Sequence, residues 1–223
     1  MILRTKPGLR EAVLVNAFGP VIKFKCRHFW PRTARGRAAT PMTVAQALDR
    51  LEKHYGKLRP PGPSDPYEMI LYANCGYPAN DVTCSKGFDA LRNQIGLGTE
   101  QVLAASEVKL AAIMRLGGIV PELRVTRLKQ IAGLVEEAYG GNLASALQKP
   151  LAEAKKVLKR FPTIGEPGAE KILLFTKTAP VPAALLRAYL LFQGHGRELC
   201  KRSRPMCRSC PVAQDCPYFQ GQE

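Results

Sequence analysis

Four of the seven cysteines lie close together near the end of the chain, at Cys200, Cys207, Cys210 and Cys216. Six, two and five residues separate successive members of this quartet. Four thiolates at such short spacing can surround one metal centre. Disulfide bonds are disfavoured, because the other three cysteines lie far upstream and no secretory signal peptide opens the chain. We therefore expect a reducing compartment and a loop ordered by a metal centre.

The spacing of the quartet separates two kinds of metal centre. Structural zinc sites usually group their ligands as two short pairs. Here only Cys207 and Cys210 form such a pair, and Cys200 and Cys216 flank it singly. A [4Fe-4S] cluster accepts this uneven spacing more readily. We predict that cluster and keep zinc as the alternative.

The cysteine loop also carries a run of positive charge. Lys201, Arg202 and Arg204 lie between the first two cysteines, and Arg197 and Arg208 lie beside them. An ordered basic loop suits a phosphate backbone, so Lys201, Arg202 and Arg204 are predicted DNA contacts. An ordinary solvated charge run is the alternative.

The composition favours a polyanionic partner. The 223 residues include 33 Lys and Arg against 18 Asp and Glu, which gives a formal charge of +15 and a sequence pI near 9.8. The apolar runs are short and broken by charges, which argues against a membrane span. The charge therefore favours a nucleic acid over a membrane as the partner. Within that class we predict double-stranded DNA, bound by a monomeric protein in the cytoplasm, or at the nucleoid if the protein is bacterial.

Residues 1–41 form a basic extension that contains nine basic side chains and one acid, Glu11. Such a leader fits a transit peptide, a disordered DNA-binding tail, or sequence translated upstream of a true start at Met42. We favour the last two interpretations.

The pattern becomes helical from Met42 onward. Thr43 and Gln46 predict a capping box, and Asp65 with Pro66 predicts the cap and first-turn proline of a second helix.

Further helices are expected from about Thr99, Ser106 and Pro121, the last ending at Gly140. Strand signals are almost absent, so the predicted fold class is all-α. We divide the chain into the extension 1–41, a helical region 42–182, and a last helix with the metal loop over 183–223.

Residues 155–175 predict two helices joined by a tight hairpin. Pro162, Gly165 and Gly168 are expected to force the turn, and Ile164 to anchor it. The free amides that begin the second helix would bind a phosphate without reading sequence. A helix–helix turn without a ligand is the alternative. The predicted DNA-binding residues of the hairpin are Thr163, Ile164, Gly165, Gly168 and Lys171.

In its hairpin and its cysteine quartet, the chain resembles the helix-hairpin-helix DNA glycosylases of the endonuclease III type. Phe161-Pro162-Thr163-Ile164-Gly165 is similar to the family's Leu-Pro-Gly-Val-Gly, and His195-Gly196-Arg197 leads into the quartet at the family's spacing. More weakly, Ala79-Asn80-Asp81 resembles the segment that contacts DNA opposite the lesion, and Leu116-Gly117-Gly118 resembles another backbone-contacting turn. The resemblance covers residues 42–223.

This resemblance implies an all-α, two-lobed helix-hairpin-helix glycosylase fold. A DNA groove would lie between the lobes, with the [4Fe-4S] cluster in one and the hairpin in the other. Family members cleave the N-glycosidic bond of a damaged base flipped out of the duplex. Bifunctional members then nick the abasic site through a lysine Schiff base.

Both catalytic groups of the family are missing at the matching positions. Pro167 stands where bifunctional members have the lysine, and Lys171 lies one helical turn further on, where a phosphate contact is expected. The stretch 178–185 holds no carboxylate where the family has an aspartate. Residues 183–196 predict the last helix before the quartet, so one lobe is expected to be shortened.

Other carboxylates in segments expected to face DNA are Asp81, Glu166 and Glu170. Their expected roles are a helix cap, a hairpin surface residue and a first-turn acid. No catalytic residue is therefore assigned. Pro78 replaces a glutamine that many members use as a wedge, which predicts altered lesion recognition.

Three functions are consistent with these residues. The leading one is a base-excision repair enzyme of the endonuclease III type, a monofunctional glycosylase rather than a lyase. The second is a non-catalytic DNA-binding paralogue or truncated variant, and the third is a zinc-bound nucleic-acid-binding module.

Overall fold

The computed structural model describes residues 42–76, 81–178 and 183–220. Every regular element in these ranges is helical, and none of the described residues lies in a strand. The predicted all-α class is confirmed. The extension 1–41 and the segment 78–80 lie outside the described residues, so the expectations for them stay predictions.

The α-helices of the described ranges are α1 (Val44–Tyr55), α2 (Pro66–Gly76), α3 (Asp81–Gln94), α4 (Thr99–Ala104), α5 (Glu107–Met114), α6 (Pro121–Tyr139), α7 (Leu143–Ala146), α8 (Leu151–Leu158), α9 (Glu166–Thr176), α10 (Ala183–Glu198) and α11 (Pro217–Gln220). Short 3-10 turns cover Arg115–Gly117, Cys207–Ser209 and Ala213–Asp215.

Local capping signals set the starts of several helices as predicted. Thr43 and Gln46 form the capping box of α1. The Asp65 carboxylate accepts a hydrogen bond from the amide of Glu68 at 2.9 Å, ahead of Pro66 at the first position of α2. The Ser106 hydroxyl caps α5.

The described chain forms two compact units. The first contains residues 42–59 and 183–220, with α1 packed against α10. A salt bridge at 2.8 Å joins Arg187 of α10 to Glu52 of α1. The grouping of α1 with the C-terminal residues crosses the division at 182 that the sequence suggested. The hydrophobic core of this unit consists of Ala47, Leu48, Leu51, Ala188, Leu191 and Val212.

The second unit contains the described residues from 60 to 178, which carry helices α2 to α9. Helix α2 packs against α3, α6, α7 and α9, and nine of its eleven residues are buried. An apolar helix of this kind belongs in the middle of a core. Each fully buried Leu or Ile side chain contributes about 1.5–3 kcal/mol. Core side chains here include Ile70, Leu71, Leu91, Leu128, Ile131 and Leu173.

The hairpin helix α9 ends at Thr176, and α10 begins at Ala183. Only six positions separate the second hairpin helix from the last long helix before the cysteines. Helix α10 begins where the sequence places the last helix before the quartet, and the short connection agrees with the predicted shortening of one lobe. No helix in the described ranges is long and apolar enough to cross a membrane.

Candidate nucleic-acid interface and cysteine loop

The turn between α8 and α9 is anchored by two apolar side chains. Phe161 and Ile164 are 2% and 8% exposed. The amide of Phe161 donates to the carbonyl of Leu158 at 3.1 Å, and the amide of Ile164 donates to the carbonyl of Phe161 at 3.3 Å. These anchors leave Thr163 and the start of α9 at the surface.

The N-terminus of α9 lacks a side-chain cap. Gly165 occupies the N-cap position and makes no side-chain hydrogen bond to the first turn. Pro167 has no amide proton, so Glu166 and Gly168 supply the N–H groups of this turn. Uncapped amides and the positive end of the helix dipole together suit an anion such as a phosphate. Gly165 is exposed and Gly168 is half-buried, so a ligand can approach them.

The structure corrects the expected role of the hairpin glycines. The left-handed residue is Thr163, with φ of 68°, whereas Gly165 has φ of −88°. A methyl group added to Gly165 or Gly168 would meet only ordinary contacts, at 3.9 Å and 3.6 Å. The turn therefore does not need these glycines for its backbone conformation. Their missing side chains instead leave the amides uncovered.

The carboxylates beside the hairpin are held by lysines. Lys155 of α8 forms ion pairs with Glu166 and with Glu170, the latter at 3.1 Å, and Lys159 pairs with Glu166 at 2.9 Å. Hydrogen bonds from Lys155 and Lys159 lower the pKa of Glu166 to about 2. A carboxylate with so low a pKa is poorly matched to proton transfer near neutral pH. The structure thus agrees with surface roles for Glu166 and Glu170.

Two residues bear on the lyase step. Pro167 lies in the first turn of α9 and provides no amine. The Lys171 ammonium lies over the ring of Phe175, 5.2 Å from its centre, on the next turn of the helix. Neither residue therefore supplies an amine at position 167, and the amines of Lys155 and Lys159 beside it are ion-paired with Glu166.

The Leu116-Gly117-Gly118 turn, which the resemblance implies to contact the DNA backbone, is also at the surface of the second unit. Leu116 is 52% exposed and Ile119 is 75% exposed, whereas Gly117 is buried. Asp81 begins α3. The turn therefore presents apolar side chains around a buried glycine.

Sequence reasoning missed a buried polar residue behind the hairpin. Asn74 of α2 is 3% exposed, and its side-chain oxygen accepts a hydrogen bond from the Thr163 hydroxyl at 3.1 Å. The signal was present in the sequence, since Asn74 interrupts an otherwise apolar stretch of α2. Only the fold shows its partner.

In the first unit, backbone hydrogen bonds shape the cysteine loop. The amide of Met206 donates to the carbonyl of Leu199 at 2.9 Å, which closes the segment between Cys200 and Cys207. The amide of Cys210 donates to the carbonyl of Cys207 at 3.1 Å. The predicted contacts Lys201, Arg202 and Arg204 are exposed on this loop.

Cys210 lies at the centre of a polar contact chain. Its sulfur is 3.6 Å from Nε2 of His195, and Nδ1 of that ring is 2.9 Å from the Tyr55 phenol oxygen. The sulfur also accepts a hydrogen bond from the backbone of Val212. Burial, with smaller effects from Glu198 and nearby cysteines, raises the pKa of Tyr55 to about 12. His195 is 8% exposed, so its ring lies within the packed first unit.

The donor set of the quartet is four thiols, which suit either an iron-sulfur cluster or a zinc ion. Burial is the main cause of a raised pKa at the Cys210 thiol, and the neighbouring thiols of Cys216 and Cys207 act in the same direction. Within the described residues, no three Cys, His, Asp or Glu side chains converge on a position for one metal ion. A four-iron cluster is larger and binds one thiolate at each iron. Metal binding would have to release the thiol protons.

Comparisons with known proteins identify the fold. No family model matches the sequence, and no curated protein is significantly similar to it. A thermostable thymine-DNA glycosylase is similar in structure, with a TM-score of 0.63 and 15% identity over 80% of this chain and 95% of the other. Trapped covalent and non-covalent endonuclease III–DNA complexes give TM-scores of 0.54 and 0.55, each at 16% identity over 81% of this chain and 99% and 98% of theirs.

These similarities, together with the α8–α9 hairpin, show that the chain has the helix-hairpin-helix DNA glycosylase fold. The resemblance stated from the sequence is confirmed at that level.

Proposed function

We propose that the protein binds double-stranded DNA through the α8–α9 hairpin and the basic cysteine loop, and that it acts in base-excision repair. The observation that carries this proposal is the exposed, uncapped N-terminus of α9 on a glycosylase fold. The formal charge of +15 supports a polyanionic partner. Two of the similar structures are endonuclease III complexes with DNA, which supports the same choice.

We further propose that Cys200, Cys207, Cys210 and Cys216 hold a [4Fe-4S] cluster. The cluster would order the loop that carries Lys201, Arg202 and Arg204, so that these side chains meet phosphates in a fixed arrangement. Within this proposal the cluster has an architectural role.

The first test is the Gly165→Asp variant. An aspartate is a good N-cap, so the new carboxylate should leave the stability of α9 unchanged or slightly higher. The same carboxylate occupies the first-turn amides and repels a phosphate. We expect duplex affinity to fall at least about tenfold at every sequence tested, because the contact reads no bases. Fluorescence anisotropy with unrelated labelled duplexes measures this loss.

The matched control is Gly98→Asp. Gly98 is also an exposed N-cap glycine without a side-chain cap, at the start of α4. The substitution makes the same change in net charge away from the hairpin. If the two variants lose duplex affinity equally, the loss comes from the change in net charge and not from the hairpin. Wild-type affinity in Gly165→Asp would contradict DNA binding by the hairpin.

The second candidate function is non-catalytic DNA binding, favoured by Pro167 and by the ion-paired Glu166 and Glu170. We expect borohydride to trap no covalent adduct with an abasic duplex, because no amine stands at position 167. Duplexes bearing oxidised, alkylated or deaminated bases, treated with alkali after incubation, report base excision separately. A trapped adduct would overturn the argument from Pro167, and strand breaks without an adduct would identify a monofunctional glycosylase.

A further inference from the structure

The hairpin contains a residue whose backbone conformation needs support. Thr163 has φ of 68°, in the left-handed region, where the resembled motif has a glycine. A branched Cβ is strained there, and such a conformation persists only where neighbouring contacts hold it. The Thr163 hydroxyl donates a hydrogen bond to Asn74 Oδ1 at 3.1 Å.

Both polar atoms of the Asn74 side chain have a hydrogen-bond partner. Its Nδ2 donates to the carbonyl of Ile70 at 3.0 Å, on the preceding turn of α2, and its Oδ1 accepts from Thr163. The residue is 3% exposed, so water cannot readily replace a lost partner. A buried amide that is held on both sides is a rigid attachment point for the hairpin.

Hydrogen bonds from Arg124 connect Asn74 to the turn at residues 116–120, the second segment expected to face DNA. Arg124 of α6 is 5% exposed, and its Nη1 donates to the main-chain carbonyl of Asn74 at 3.0 Å. Its Nε donates to the carbonyl of Ile119 at 2.9 Å. Because the guanidinium is planar and stiff, it fixes these two main-chain carbonyls relative to each other.

Residues with strained backbone lie at both ends of this series of hydrogen bonds, Thr163 at one end and Val120 at the other. Val120, next to Ile119, has φ of 55° and is also β-branched. Thr163 and Val120 are two of the three non-glycine residues with positive φ in the described ranges. Backbone strain that the surroundings enforce is often found at functional segments.

We propose that Asn74 is a positioning residue that holds the hairpin in its phosphate-binding shape in place of a turn glycine. With Arg124, it also sets the hairpin against the Leu116–Val120 turn, so that both meet one duplex. This inference rests on the proposed DNA binding by the hairpin.

The test uses duplex affinity in a double-mutant cycle. Thr163→Val keeps the branched side chain and removes the hydroxyl, and it should weaken binding about tenfold. Thr163→Ser restores a hydroxyl donor and should bind within about twofold of wild type. Asn74→Ala should weaken binding as much as Thr163→Val does. The double variant should be no weaker than either single variant, because both changes remove the same hydrogen bond.

Thr163→Gly provides a sharper arm of the same experiment. Glycine adopts positive φ without strain, so the hairpin no longer needs the attachment. In that background, Asn74→Ala should change duplex affinity by less than about twofold. A merely structural role for Asn74 predicts the same loss of affinity in both backgrounds. Hydrogen exchange of the Ile164 amide, which donates to the Phe161 carbonyl, should accelerate in Thr163→Val and stay near the wild-type rate in Thr163→Ser.

Wild-type affinity in folded Thr163→Val, or additive losses in the double variant, would overturn this inference. The Gly165→Asp variant shows whether such a result contradicts only the role of Asn74 or also DNA binding by the hairpin. If Gly165→Asp loses affinity while Thr163→Val does not, only the role of Asn74 is wrong. If Gly165→Asp also binds as wild type, DNA binding by the hairpin itself is wrong.

Discussion

Replacing Gly117 with alanine should destabilise the unit that contains α2 to α9 by about 3–5 kcal/mol. Gly117 is buried, and a Cβ at this position would penetrate the carbonyl oxygen of Cys75 and lie 2.8 Å from its carbonyl carbon. These are backbone atoms of α2, so no side-chain rotation can relieve the clash. The 3-10 turn and the end of α2 would have to separate.

The same contact involves two more glycines, which explains why it cannot adjust. A Cβ on Gly87 would lie 3.1 Å from the Cys75 carbonyl oxygen and 3.3 Å from the Gly117 Cα. A Cβ on Gly76 would lie 2.7 Å from the Cα of Cys84. The backbones of α2, α3 and the turn after α5 thus approach each other where no side chain fits.

Gly133→Ala is the matched control for this prediction. Gly133 lies inside α6, and its added methyl would meet only Leu103 Cδ2, at 3.9 Å. Alanine should therefore stabilise the helix by about 0.5–1 kcal/mol. Urea denaturation followed by circular dichroism compares the two variants. A Gly117→Ala protein as stable as wild type would show that α2 and the turn can move apart at little cost.

Loss of the metal centre proposed for the cysteine quartet should unfold the unit formed by residues 42–59 and 183–220. Its core has six buried hydrophobic residues, and Cys210 packs against that core. A unit so small rarely folds on its core alone and usually needs a metal or a covalent link. The free energy of metal binding would then act as folding free energy.

The variants Cys207→Ser and Cys216→Ser test this expectation. We expect wild-type protein purified without oxygen to be brown and to contain about four irons per chain, and each variant to lose that colour and iron. Amides of α1 and α10 should then exchange rapidly, while those of α2 and α6 stay protected.

Cys26→Ser, which changes a cysteine outside the quartet, should retain colour and iron. Colourless wild-type protein with one zinc per chain would contradict the cluster. Protected amides in α1 of the iron-free variants would contradict the dependence of this unit on the metal.

Local patterns in the sequence predicted the helix starts correctly. Thr43, Asp65, Ser106 and Pro121 each mark a start that the structure confirms. A cap satisfies amides within three or four residues of itself, so its effect is contained in a short window of sequence. The absence of strand patterns likewise predicted the all-α class.

The candidate sites were predictable only in part. The sequence located the hairpin because proline, glycine and the apolar Ile164 mark it locally. It assigned the turn to the wrong residues, since proline and glycine are the usual breakers and a threonine with φ of 68° is a rare exception. The quartet was evident from the spacing of its cysteines. The contact of Cys210 with His195 spans 15 positions, and the contact of His195 with Tyr55 spans 140, so neither could be predicted from local sequence.

By itself, the sequence determined the helices, the four-thiol loop, the excess of positive charge and the lack of the family's lysine and aspartate. These properties follow from residue type and short-range spacing. Only the tertiary structure decided that α1 packs with α10, that Asn74 supports Thr163, and that Gly117 must lack a side chain. Each of these depends on contacts between residues 42 or more positions apart, which no local pattern encodes. Burial then makes such contacts specific, because a polar or bulky group without its distant partner is costly inside a core.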